Sequence, residues 1–587
     1  MAKKPKKIEI IIYTDFVSTK ARAGRDIVDR VMGSVGEEVG FTYKACLPKS
    51  EDEEIWMTAK ALLAAEKQHK FEDLHPKLLD GDRQVSKDTL YEVLGSIDID
   101  IAQFQADFES ESLLRELSAN TQEAEKKGVD LFPALTINGR LYQGALDESA
   151  LLEAIEKRGG YRMEIAIEEF FKWGASAAFV LLIATIAGLL FVNLGFHEIY
   201  EYFRHADFGF VFGEYSYTLP LEIWINDALM ALFFLLIGIE IKREVLYGEL
   251  SDMKRAAMPV IAAIGGMLVP AVIYLAVNAN GAGAHGWGVP MATDIAFTLG
   301  LMALLGKRVP ISLKVFVSAL AVADDLGAIV VIAIFYGHGF HLEPFMAALI
   351  TLCVMAFLSY KKVYTIMPYL LLGIVLWYFV FESGIHATLA GVLTAIIIPS
   401  RRSGNLVGVA TQAAVVFDHE IEYAKKQEEH VAIRHGSMRL LQNAFERLRE
   451  PSYYLEHSLE KWVNYLILPL FAFFNTGILL RGSQLNLLEP VNIGIILALC
   501  VGKPLGIFGA SWIASKTGLA QLSSEISWVQ VLGAGCLAGV GFTMSIVVAS
   551  AAFKGEILDA AKISILVASF ISAVVGLFIL YKAKKQT

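Results

Sequence analysis

A chain of 587 residues that is 55% hydrophobic, with a mean hydropathy of +0.50, is too apolar for an ordinary soluble enzyme. Its net charge of −10 is unevenly spread: residues 1–160 carry 22 basic and 30 acidic groups, a balance of −8, and the rest is nearly neutral. The composition therefore splits into a soluble acidic domain, 1–160, and a polytopic α-helical membrane domain, 161–587, with no basic, aromatic-rich patch to suggest nucleic acid.

In the first domain, residues 8–13 read as a buried strand and Phe41–Cys46 as a second. Glu53–Lys70 and Ser110–Lys127 have helical patterning, Asn138-Gly139 marks a hairpin after Ala134–Asn138, and Asp147–Lys157 closes as a helix. That order resembles an α/β thioredoxin-like domain of the DsbA type. Two stretches carry the resemblance: Tyr13-Thr14-Asp15-Phe16, and Phe132-Pro133-Ala134, which matches that family's cis-proline loop at Pro133. The positions matching its redox cysteines are Ser18 and Ala21. Thiol exchange needs a thiolate and a resolving thiol, so the domain reads as a redox-inactive scaffold that binds or regulates, its partner unknown. The four cysteines, Cys46, Cys353, Cys500 and Cys536, are scattered and form no disulfide framework or zinc site. The basic start is followed by an apolar run too short for a signal peptide.

Beyond residue 165 about twelve apolar stretches meet the ~20-residue membrane-span rule, some of them short or broken by Gly and Pro. They lie near 173–194, 220–246, 256–277, 284–305, 311–336, 343–360, 364–380, 383–399, 458–480, 490–514, 526–552 and 557–582. Lys and Arg favour alternate connections, among them Lys254-Arg255, Lys307-Arg308, Lys361-Lys362 and Arg401-Arg402. The positive-inside rule then puts both termini in the cytoplasm. Residues 400–457 read as a charged, helical cytoplasmic insertion, and the β-forming stretch 195–220 as a hairpin suited to dimer contact.

Within Val315–Phe335, otherwise almost wholly apolar, stand Asp324 and Asp325. One ionised carboxylate near mid-membrane costs a few kcal/mol or more, and two also repel. A chain that keeps both must satisfy them with a cation, a proton or a basic partner. Adjacent helix positions point ~100° apart, so one can hold a cation while the other takes a basic side chain. Thr293-Asp294 lies in a Gly/Pro-flanked span, Gly502-Lys503-Pro504 puts a lysine in another, and the glycine-rich 533–541 predicts an interrupted helix.

Trp224–Glu244, Ala292–Gly300, Ala323–Ile329, Tyr465–Phe474, Gly502–Ile507 and Gly539–Ser550 together resemble the NhaA-type sodium/proton antiporters. That family is itself a standard illustration of inverted-repeat transporters. The resemblance implies inverted repeats, two interrupted helices crossing at the membrane midplane (284–305 and 526–552 here), a homodimer and a bacterial inner-membrane location. It implies Asp325 as main Na+ ligand, Asp324 as its partner in proton exchange and Thr293 as a further oxygen ligand. Asp294 and Lys503 would compensate half-helix charges or exchange protons, with Lys503 facing either the negative helix ends or Asp324. Asp227 would stand near the funnel, and Glu240, Arg243, Glu244, Glu456 and His457 would form a cluster tied to pH activation.

The leading reading is a secondary transporter, not an enzyme, that exchanges Na+ or Li+ for H+ in pH and sodium homeostasis. Hard oxygen ligands suit those ions. No cofactor is expected, and no phosphate-binding loop occurs. A cation channel and a membrane-tethered thiol oxidoreductase are the alternatives.

Overall fold

The structure is a computed structural model that describes residues 8–14, parts of 27–46, 53–78, 87–129, most of 133–142, parts of 151–155 and, with short gaps, 174–583. Ser18, Ala21, most of Asp147–Lys157, and the arginines 401, 402, 447, 449 and 481 lie outside the described residues. The chain divides into two compact units, 1–169 and 170–587.

In the first unit, β1 (Ile8–Thr14) pairs in parallel with β2 (Val39–Ala45) and antiparallel with β3 (Ala134–Ile137), which pairs with β4 (Arg140–Leu141). The sheet order is β2-β1-β3-β4. β1 is central and its Ile10, Ile12 and Tyr13 are almost fully buried, so it reads as a continuous apolar run rather than an alternating one. Gly139 holds the β3–β4 turn at φ +82°, where a side chain would be strained. Pro133 sits directly before β3, and Cys46 follows β2 as a buried thiol. A helical layer between β2 and β3, Glu53–Glu66 through Glu111–Lys126, packs around Leu62, Leu74, Phe104 and Leu117. Beside β1, Lys127 and Lys44 grip Glu123 at 2.8 and 2.5 Å, and Tyr13 Oη donates to it at 2.9 Å.

In the second unit each of the twelve expected stretches contains helix. Among the described residues eight helices are long and apolar enough to cross a membrane, or nine if the bent pair Trp528–Ala538 and Phe542–Ala552 is one span. The rest fall short for local reasons. Leu389–Ile397 has nine residues, ~14 Å of helix. Ile366–Glu382 is 17 residues long. In Pro451–Thr476, the charged Glu456, Glu460 and Lys461 and the amides Asn464 and Asn475 dilute the apolar run.

Residues 195–220 do contain a hairpin, β5 (Asp207–Phe212) with β6 (Tyr215–Pro220). The insertion is helical, as Leu406–Gln427 and His435–Glu446. Arg434 joins them by donating to Glu420, 2.9 Å from Nε, and this holds the Glu420 carboxyl down at about 2.

Two features position the site. Met253–Asn278 and Lys503–Thr517 approach so closely that a Cβ at Gly506 would overlap the Gly265 carbonyl. Small residues allow such backbone contact between membrane helices, and here the contact fixes where Lys503 emerges. The second feature is the pair of interruptions. Ala284–Met291 is a tight 3-10 segment, 292–294 is extended, and α-helix resumes at Ile295–Leu304. Trp528–Ala538 ends at Gly539, and the chain bends by 46° before Phe542–Ala552.

Candidate functional site

A broken helix inside a membrane leaves backbone donors and acceptors that water cannot satisfy. The two interruptions satisfy each other. Carbonyls at the end of Trp528–Ala538 accept from the other span: Leu537 from Thr298 Oγ1 at 3.2 Å and Ala538 from Thr293 Oγ1 at 3.1 Å. In the break itself, the Val540 carbonyl accepts from the Asp294 amide at 2.9 Å. In return, Asp294 caps two helix starts at once. Its Oδ1 accepts from Phe297 N at 3.0 Å, and its Oδ2 from Thr543 N at 3.2 Å and Thr543 Oγ1 at 2.5 Å. A carboxylate between two positive helix ends is electrostatically placed. Asp294 is 2% exposed and thus serves as the joint between the broken spans.

Asp324 and Asp325 lie midway along Ile311–Phe335, directly beside this joint. Asp324 Oδ2 accepts from Thr293 Oγ1 at 2.9 Å and lies 2.9 Å from Lys503 Nζ, with both charged side chains fully buried. Lys503 also donates to the carbonyl of Met291, the last residue of the 3-10 segment. The lysine therefore faces both a negative helix end and Asp324, the two roles open to it from sequence.

Asp325 differs. It is 1% exposed, and neither of its oxygens accepts a hydrogen bond from the described residues. It lines a cavity of about 340 Å³ with Asp294 and Thr543; Glu240, Arg243, Glu456, His457 and Glu460 line it as well. Arg243 donates to Glu456, tying the helix Leu221–Tyr247 to Pro451–Trp462, and lies 3.5 Å from Glu244. His457 packs on Tyr453 at 4.1 Å between ring centroids.

The structure thus brings together Thr293, Asp294, Asp324, Asp325 and Lys503, and links Asp325 by one cavity to Glu240, Arg243, Glu456 and His457. Asp227 is not among the cavity's lining residues. It precedes Glu240 by thirteen residues of one helical span, ~20 Å. Pro133 belongs to the other unit. Sequence reasoning gave no role to Thr543 or Glu460. Thr543 follows Gly539-Val-Gly541-Phe directly, and a hydroxyl one residue into a restarted helix was the available signal.

Buried carboxylates, one paired and one not, between cross-braced broken helices define an α-helical membrane transporter with a charge-bearing site. A family model for Na+/H+ antiporter 1 matches residues 168–580, and one for a DSBA-like thioredoxin domain matches 20–156. The chain belongs to the Na+/H+ antiporter 1 family and carries an N-terminal DsbA-like thioredoxin domain. It is 35% identical over 599 residues to the Na(+)/H(+) antiporter NhaA of Nitrosospira multiformis, covering 99% of this chain and 95% of that protein. The likeness to that relative therefore includes both units. The Na(+)/H(+) antiporter NhaA of Oleidesulfovibrio alaskensis is 44% identical over 416 residues, 69% of this chain and 91% of its own. That of Helicobacter pylori is 43% identical over 433 residues, 72% of this chain and 97% of its own.

Proposed function

We infer that this chain is a secondary active antiporter that exchanges Na+, or Li+, for H+. The observation that carries the reading is Asp325, a buried carboxylate with no donor among the described residues, on the wall of a cavity lined by charged side chains. Such a group is costly unless something neutralises it. A proton does so, and so does a hard monovalent cation held by oxygens. Mutually exclusive occupancy couples the two ions without ATP. Asp324 is held by Lys503 and Thr293, and protonating it releases the lysine. Asp324 thereby serves as partner in proton exchange, with Thr293 a further oxygen ligand and Asp294 a charge-compensating joint. The transported ions are cargo, and the reading requires no cofactor.

The finer parts of the reading rest on other grounds. Twelve spans rest on the apolar stretches of the sequence; inverted repeats, a bacterial inner-membrane location and a homodimer follow from the family resemblance, and the β-forming composition of 195–220 offers β5–β6 as dimer contact. Cytoplasmic termini follow from the Lys/Arg distribution. Glu240, Arg243, Glu244, Glu456 and His457 are assigned to pH activation. The N-terminal domain is an accessory without redox activity, because Ser18 and Ala21 replace the thiols that exchange requires.

Sodium-driven proton movement in everted membrane vesicles, with and without residues 1–160, tests the reading. Exchange that survives the deletion supports it. Its complete loss from a deletion that still inserts normally would make the N-terminal domain part of the transport machinery.

A further inference from the structure

We propose that a second cavity, distinct from the ion site, holds the acyl chain of a membrane phospholipid. Its volume is about 300 Å³, and it lies between the helix Ser176–Phe191, the restarted helix Ile295–Leu304, the break at 540–542 and the last helix Glu556–Lys582. Ala175, Ala178, Gly300 and Ala573 are small residues in its wall, and Gly300 packs closely on Ala178.

The chemistry of the lining excludes water as a stable occupant. Among the described residues the polar side chains lining it are Thr185 and Ser569, and both are engaged. Thr185 donates to the Leu181 carbonyl at 2.8 Å, and Ser569 Oγ accepts from the Phe542 amide at 3.2 Å. An ordered water needs two to four polar partners, which this cavity does not offer.

The surroundings of the mouth commit it to hydrocarbon. Phe179, Leu182, Leu304, Phe570 and Val574 surround the cavity and are 42–72% exposed. All stand on helices long and apolar enough to cross a membrane. An opening between such helices faces lipid tails, and a flexible chain is the solute that fits an apolar cleft open to them.

The occupant would bear on the transport machinery. Phe297 and Phe542 form part of the cavity wall and pack edge to face at 5.8 Å. Phe297 also supplies an amide to Asp294, and Phe542 precedes Thr543, which supplies two more donors. The chain therefore rests against the rings that flank both helix starts capped by Asp294. This inference depends on the membrane-spanning reading and not on which ion is exchanged.

The test is photolabelling of the full-length protein in nanodiscs made with a phosphatidylcholine carrying a diazirine in one acyl chain, followed by peptide mapping. Adducts on Phe179, Leu182, Phe570 and Val574 should exceed several-fold those on Ile350 and Phe357. These are lipid-facing controls of comparable exposure, 61% and 58%, on Leu342–Tyr360. Ala573→Phe fills the cavity and should bring the excess down to the control level, and Ala178→Leu serves if that variant fails to insert. Phe570→Ala opens the mouth without filling it and should keep the excess at the remaining positions. Cavity adducts at the control level in the parent, or an excess unchanged by filling, would overturn the proposal. So would a disulfide formed on oxidation between two copies that each carry Phe179→Cys or Phe570→Cys, which would make a second copy of the chain the occupant.

Discussion

Lys503 lies 2.9 Å from Asp324 with both side chains wholly out of reach of solvent, while the neighbouring Asp325 receives no donor from the described residues. The adjacent aspartates are therefore unequal. Removing one partner of a buried pair strands the other charge and costs about 3–5 kcal/mol. Lys503→Met should lower thermal stability in detergent by that order. Asp325→Asn breaks no protein hydrogen bond and removes a buried charge, so its melting temperature should match or exceed the parent's while exchange in vesicles vanishes. A stable Lys503→Met protein would show that the ion pair contributes little.

Thr543→Val removes the hydroxyl that reaches Asp294 at 2.5 Å but keeps the backbone amide at 3.2 Å. Leaving a buried carboxylate short of one donor costs about 1–3 kcal/mol. Thr543→Ser should restore most of that loss. Thermal unfolding of the two variants side by side makes the comparison, and a Thr543→Ser protein less stable than Thr543→Val would point to packing of the methyl group instead.

Much of this site is legible before any coordinates. Two adjacent aspartates in an apolar span, a lysine in another and a glycine-rich break each violate the expected pattern of a membrane helix. Such violations are expected where function lies. Long-range pairing is not legible. Nothing local tells Thr293 to cap the Ala538 carbonyl, or Asp294 to cap a helix that begins at Phe542. Those contacts join residues about 250 positions apart and follow from how the broken spans cross. The helix lengths within the spans are not legible either: the apolar stretch 383–399 carries only the nine-residue helix Leu389–Ile397, because turns precede it, and 458–480 continues a helix that begins at Pro451.

The Arg243–Glu456 contact ties two helices at the cavity that Asp325 also lines. Glu456→Gln weakens that tie and leaves the aspartates untouched. The maximal rate at saturating sodium should shift along the pH axis, with apparent sodium affinity at any given pH unchanged. A change in affinity alone would assign Glu456 to ion competition rather than to gating.

In the N-terminal unit, hydrogen bonds from Lys127 and Lys44 hold the Glu123 carboxyl down at about 2, against an unfolded glutamate near ~4.3. A depressed carboxyl contributes stability above its unfolded value and loses it as pH falls through the folded one. Acid should therefore loosen this unit between about pH 4.3 and 2. Glu123→Gln should flatten that dependence, with a modest effect because the group is partly exposed. Hydrogen exchange of β1 and Glu111–Lys126 amides in the full chain reads it out.

The central claim is that proton and sodium compete for the buried aspartates. At low pH the proton occupies the site and excludes sodium; at higher pH sodium binds a vacated site, and at very high pH too few protons remain to reload it. The pair titrates as a coupled unit. The most direct measurement is exchange rate against sodium concentration at several pH values, in vesicles containing the full-length chain. Apparent sodium affinity should rise with pH and level off once the site is deprotonated, under a rate profile that is bell-shaped. An apparent affinity that stays flat across the range in which activity turns on would contradict the account and require a gating sensor remote from Asp324 and Asp325.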